Sequence, residues 1–205
     1  MDASAVELES TGGVVVRGER WWGSDEWCVF VHDTGEDLDA WRPLQGWVAD
    51  QGRSAVVVDL RGHGGSDDGP EDIEADLGAA VRFARASGAT AVCVIAAGAA
   101  ARAALRGSPG PTTEMLVLLS PAAPGAEPVA AFRAPGVPRL FLYGAEDAAI
   151  DATVLALRNA AIGWAGSIAF PTDAQGTALL ASAWRQHAVE HITAFVNEQM
   201  HIACG

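Results

Sequence analysis

The chain contains no lysine: all 13 of its basic side chains are arginine. Schiff-base catalysis and a lysine general base are therefore excluded, apart from the terminal amine. Cysteine is scarce. Cys28, Cys93 and Cys204 are an odd set at irregular spacing, with neither a disulfide framework nor a zinc pattern. Cys28 and Cys93 lie in apolar runs and read as small core residues. No apolar run approaches the roughly 20 residues that a membrane-spanning helix needs. The opening Met1–Glu7 lacks the basic and apolar regions of a secretory signal, so a cytoplasmic, reduced protein is expected. Histidine is also sparse, and none stands between His63 and His187.

What is abundant is acid. The formal net charge is −13 over 205 residues, and the isoelectric point is about 4.6. Such a surface repels nucleic acid and anionic membrane, so neither is an expected partner. Half of the residues are hydrophobic, at 50%, which is enough for one domain over residues 1–205.

Apolar runs alternate with helical patterns. Val6–Ser10 and Val14–Trp21 read as antiparallel strands around Thr11-Gly12-Gly13. Trp27–Val31, Ser54–Leu60, Ala89–Ala97, Glu114–Ser120, Arg139–Tyr143 and Ser167–Phe170 read as further strands. Helices are expected over Asp39–Gln51, Glu71–Ala86, the segment after Gly98, Asp151–Ala161 and Thr177–Met200. This order predicts an α/β protein with a mostly parallel sheet covered on both faces. Sites in such sheets form beyond the carboxyl ends of the strands. The loops at Asp33, Gly98, Asp147 and Gln175 all follow strands and are expected to converge.

The stretch from Ala89 to Leu105 passes from a buried strand through tiny side chains into an alanine-rich helix. That is the shape of a nucleophile elbow. Its central residue is Gly98, which carries no side chain.

Five segments carry a family resemblance: Val31-His32-Asp33-Thr34-Gly35, Asp59-Leu60-Arg61-Gly62-His63-Gly64-Gly65-Ser66, the elbow, Leu118-Leu119-Ser120-Pro121 and Tyr143-Gly144-Ala145-Glu146-Asp147. In order and spacing the chain resembles the α/β-hydrolase family from about Val14 to Val196. The resemblance implies about eight strands with the second antiparallel, and a Ser-His-Asp type triad in the order nucleophile, acid, histidine. Carried over by position, the nucleophile falls on Gly98, the acid on Asp147 and the histidine on Gln175. Two of the three positions are thus vacant. The oxyanion donors fall on the amides of Thr34 and Ala99, which any residue type can supply. A lid, where the family has one, would fall in Pro121–Pro138, which is too short for a sizeable lid domain.

Neither Gly98 nor Gln175 can do the chemistry of the groups they replace. The expected function is a non-catalytic α/β-hydrolase-fold protein that binds a small molecule above Gly98 or a protein partner, including a second copy of itself. The alternative is an enzyme of another design on this fold. It would be an esterase-like hydrolase with Ser120 as a displaced nucleophile, or a lyase or isomerase using Asp147 or His32. His32, Asp33 and Ser120 join Thr34 and Ala99 as candidate oxyanion or ligand-binding residues, while His32 and His63 also read as loop-ordering residues and Asp147 as a helix cap. No cofactor or metal is implied. His187-Ala188-Val189-Glu190-His191 matches a zinc pentapeptide, but Glu198 lies too far along the helix to complete it. Of the adjacent Trp21 and Trp22, one is expected to be exposed.

Overall fold

The computed structural model describes residues 3–106, 113–132 and 136–204. Its eight strands are β1 (Ser4–Glu9), β2 (Val15–Trp21), β3 (Glu26–Val31), β4 (Ser54–Val58), β5 (Ala91–Ala97), β6 (Met115–Leu119), β7 (Arg139–Gly144) and β8 (Ala165–Phe170). They form one sheet in the order β1-β2-β4-β3-β5-β6-β7-β8. β2 runs antiparallel to both of its neighbours, and β4 through β8 pair in parallel with β3 between β4 and β5. The second strand is therefore antiparallel, as the resemblance implied.

The central runs are apolar at every position because both faces are covered. Val29 and Val31 of β3 face α2 (Ile73–Ala86), α3 (Gly98–Leu105) and α4 (Ala148–Ala160), whereas Cys28 and Phe30 face α1 (Arg42–Asp50) and α5 (Arg185–Cys204). Cys28 and Cys93 stand opposite one another in the β3–β5 pairing and are fully buried, as small core residues.

Helix boundaries follow local capping chemistry more closely than hydrophobic period. The expected Asp39–Gln51 helix divides into a 3-10 turn, Leu38–Trp41, capped by Asp37 rather than Asp39, and α1, which has Pro43 in its first turn. α2 starts at Ile73 because Asp72 accepts from the Ala75 amide. α4 starts three residues earlier than expected, at Ala148. The last expected helix breaks into a 3-10 turn over Gly176–Ala181 and α5, which begins only at Arg185. Between β6 and β7 the described residues form a loop with one 3-10 turn, Val129–Ala131, and no lid domain.

A buried ion pair, with the Ser10 hydroxyl bonded to it, ties the end of β1 to the loop after β4 and to α2. Arg61, in the loop after β4, contacts Asp76 of α2 through Nη2 at 2.7 Å and Nε at 3.0 Å, and the Arg61 amide donates to the same carboxylate at 3.0 Å. Ser10, just after β1, donates to Asp76 at 2.7 Å. Asp76 is fully buried and Arg61 nearly so. Removing one charge strands the other in the interior, which costs about 3–5 kcal/mol. The Asp76→Asn variant is accordingly expected to lose stability on that order in urea unfolding monitored by tryptophan fluorescence.

Candidate active site

The elbow is present and its crest is glycine. β5 ends at Ala97, and Gly98 turns the chain into α3 with φ of 52°, in the left-handed region. Ala97, at the cap position of α3, offers no side-chain acceptor. The acceptor comes from another loop. Oδ1 of Asp33, two residues past β3, accepts from the Ala99 amide at 2.7 Å and from the Thr34 amide at 2.8 Å. These are the two amides on which the resemblance places the oxyanion donors. They converge on one point, and a carboxylate oxygen of this chain already occupies it.

The same carboxyl group lies over Gly98. A Cβ on Gly98 would fall inside the volume held by Asp33 Cγ and both carboxylate oxygens. The positive φ of Gly98 already strains any other residue there, and a side chain would in addition push the Asp33 carboxyl off its position.

The Asp33 loop is held from several sides. His32, with no solvent exposure, accepts from the Leu60 amide through Nε2 at 3.0 Å. Its proton therefore resides on Nδ1, which donates to the Asp33 carbonyl at 2.7 Å. His63 repeats the arrangement. Nε2 accepts from the Gly35 amide at 3.0 Å, and Nδ1 meets the Arg61 carbonyl at 3.0 Å. Both imidazoles thus spend their ring nitrogens on backbone. Glu36 accepts from the Asp33 amide at 3.1 Å and bonds the Thr177 hydroxyl across the site. Asp59 accepts from the Leu38 amide at 2.7 Å and the Gly65 amide at 2.8 Å. Burial pushes the His32 pKa below its ordinary value and outweighs the opposing pull of the Asp33 carbonyl.

The remaining triad positions do not meet as a triad. Asp147 caps α4, accepting from the amides of Ala149 at 2.8 Å and Ile150 at 3.2 Å. Gln175 braces the end of β7: its Nε2 donates to the Gly144 carbonyl at 2.7 Å, and its Oε1 accepts from the Gly144 amide at 3.3 Å. Gly144 lets the Thr172 and Ala174 carbonyls pass close, where a Cβ would meet each at 2.5 Å. Ser120 is a non-glycine residue at positive φ, 44°. Its hydroxyl donates to Gln175 Oε1 at 2.6 Å. Asp33 and Gly98 are thus brought together, as are Ser120 and Gln175, while Asp147 turns away into its helix.

A cleft of about 210 Å³ borders the site at Ala99, between the start of α2 and the outer face of α3, with Glu71, Glu74, Arg102 and Arg106 among its walls. It falls below the range of about 300–1,000 Å³ usual for small-molecule sites. Arg106 there is already paired with Glu74 at 2.6 Å and with Glu127. The pentapeptide histidines pack their rings elsewhere, His187 on Trp184 and His191 on Phe170. Trp22 is exposed, with the Arg20 guanidinium over its ring at 4.6 Å, and Trp21 is half-buried.

Sequence reasoning placed Thr34 and Ala99 beside the elbow but missed Asp33 as the group between them, and missed Glu36 entirely. The available signal was an aspartate at the start of the loop after β3, facing an elbow glycine: a carboxylate next to free amides and an empty position.

Comparison with solved structures yields the same architecture. The Pyrococcus furiosus esterase Pf2001 superposes with a TM-score of 0.81 at 16% identity, over 97% of this chain and 93% of that one. An esterase from Exiguobacterium antarcticum gives 0.75 at 12%, over 94% and 99%. The thioesterase domain from the curacin biosynthetic pathway gives 0.65 at 14%, over 92% and 98%. The chain has the α/β-hydrolase fold, and at these identities the likeness is one of fold. No protein-family model and no curated protein matches the sequence.

Two outcomes follow from this geometry. Gly98→Ala destabilises the native chain by more than it destabilises an Asp33→Ala background. The coupling is about 1–3 kcal/mol in a double-mutant cycle by urea unfolding. The second concerns His32, which is faced by Asp33, Asp59, Glu36 and His63. The unfolded chain protonates this residue near its ordinary value of about 6.5, whereas the folded chain does so only at lower pH. Stability therefore falls as pH drops through about 6.5, until the folded value is passed and both states are protonated. Urea midpoints measured from neutral to mildly acid pH should show this slope, and it should flatten in His32→Asn.

Proposed function

We propose that this chain performs no triad-type ester hydrolysis and serves as an interaction protein on an α/β-hydrolase scaffold. One observation carries the reading: the Asp33 carboxylate sits on the Thr34 and Ala99 amides and fills the space over Gly98. A substrate carbonyl would need those amides, and a nucleophile would need that space. Both are used within the chain. The vacant positions at Gly98 and Gln175 agree with this, as does Asp147 serving as a helix cap.

The geometry gives the enzymatic alternatives little support. Ser120 donates to an amide oxygen, which cannot take its proton. It has neither His32 nor Asp147 as a partner. His32 is buried with both ring nitrogens bonded to backbone, so it has no free nitrogen for a substrate. A small ligand above Gly98 would have to displace the Asp33 carboxyl. A binding role through the outer surface of the molecule fits better.

The test is hydrolysis of short p-nitrophenyl esters. The native chain is expected to stay at the buffer rate, and Gly98→Ser alone is expected to stay there too, because Asp33 still fills the site. Adding Asp33→Ala and Gln175→His to Gly98→Ser clears the amides and restores a base. The rate is then expected to rise at least about tenfold above the single variant. Native turnover above buffer that disappears in Ser120→Ala would overturn the reading in favour of a displaced nucleophile.

A further inference from the structure

We propose that the chain forms a twofold dimer in which β8 pairs antiparallel with the β8 of a second copy, continuing the sheet across the axis.

β8 is the last strand of the sheet, and one of its sides has no partner. Its bonds to the strand beside it fix which groups are open. The Trp164 carbonyl accepts from the Arg139 amide at 3.1 Å, and the Phe170 carbonyl accepts from the Ala145 amide at 2.8 Å. Even-numbered positions therefore face β7. By the alternation of a parallel ladder, Ala165, Ser167 and Ala169 turn their N–H and C=O groups outward. A twofold axis through Ser167 sets Ala165 opposite Ala169 and Ser167 opposite itself. Three such pairs exchange about six hydrogen bonds. The side chains of Ala165, Ser167 and Ala169 are small, and the Arg158 guanidinium of α4 donates to the Ser167 hydroxyl at 3.0 Å beside the join.

The two edges of the sheet are treated differently. β1, at the far edge, carries Glu7 and Glu9, both exposed. Charged side chains on an edge strand are a common guard against pairing with another chain. Ala165–Phe170 contains no charged residue and no proline. In a chain of net charge −13, most surfaces of two copies repel one another. An acid-free, self-complementary edge is where they can approach. This favours a second copy over a foreign strand as the occupant, because identical edges match without any added sequence.

Exposed apolar side chains, Ile162 and Trp164, stand in the turn that leads into this strand. Among the described residues, the exposed large hydrophobics are Trp22, Leu155, Ile162, Trp164 and Ile202. All but Trp22 belong to α4, to the turn leading into β8, or to the end of α5. Trp164 is 51% exposed although its ring stacks on Phe195 of α5 at 5.2 Å. It thus presents one face to the core and one to the outside, as interface tryptophans do. The inference does not rest on the reading of the active site. That site lies at the carboxyl ends of the strands, and Trp164 marks the amino end of β8.

Sedimentation velocity on the native chain should give a species of about twice 21.2 kDa that dissociates on dilution. Ala169→Glu places acid on the edge, and Ser167→Pro removes an outward N–H without touching the bonds to β7. Each is expected to yield monomer with an unchanged circular dichroism spectrum. Hydrogen exchange supplies a readout that needs no variant: amides of Ala165, Ser167 and Ala169 should gain protection as concentration rises. A native monomer at high micromolar concentration, folded variants that remain dimeric, or exchange at these amides that ignores concentration would each overturn the proposal. Ester hydrolysis is measured separately, so failure here leaves the reading of the site intact, and the converse also holds.

Discussion

The carboxylate of Asp33 on the amides of Thr34 and Ala99 is the constraint around which the upper face of this molecule is arranged. It caps α3, whose own first residues offer no acceptor, and so supports the helix beneath the elbow. It requires the β3 loop to reach across to α3. That reach is sustained by His32, His63 and Glu36, none of which touches the elbow itself. It also requires glycine at position 98. Loop, cap and crest are thus one mutually dependent unit built from residues far apart in the chain.

This dependence runs both ways. A serine at position 98 meets the carboxyl group, and loss of the carboxyl group leaves two amides without their acceptor. Either change alone is unfavourable, so the two positions are coupled in stability. The Ser120–Gln175–Gly144 cluster is a second interlocked unit, at the end of β7.

The fold was largely legible in the sequence, because its signals are local. Runs such as Val92–Ala97 and Leu116–Leu119 are apolar at every position, and glycines mark the turns between them. The antiparallel second strand came from the family resemblance. Legibility failed where a single side chain decides a boundary. Asp147 starts α4 three residues early by bonding the Ala149 and Ile150 amides. Gly176–Ala181 forms a 3-10 turn before α5, although its residues suit an α-helix. The site was legible as a set of positions but not as a set of contacts. Gly98, Thr34 and Ala99 lie beside one another around the Asp33 carboxyl. That Asp33 would bend back onto its own neighbour's amide depends on a loop conformation held by His32 and Glu36 within the loop and by His63 from another, and no spacing in the chain encodes it.

The contrast between the guarded strand β1 and the bare strand β8 also bears on size. A sheet that can be extended at only one end has a natural stopping point. Once its single open margin is covered, both extremities of the enlarged sheet are acidic copies of β1, and growth terminates. In the proposed dimer this arrangement gives a finite particle rather than a fibre, with the glutamates at positions 7 and 9 as its terminators.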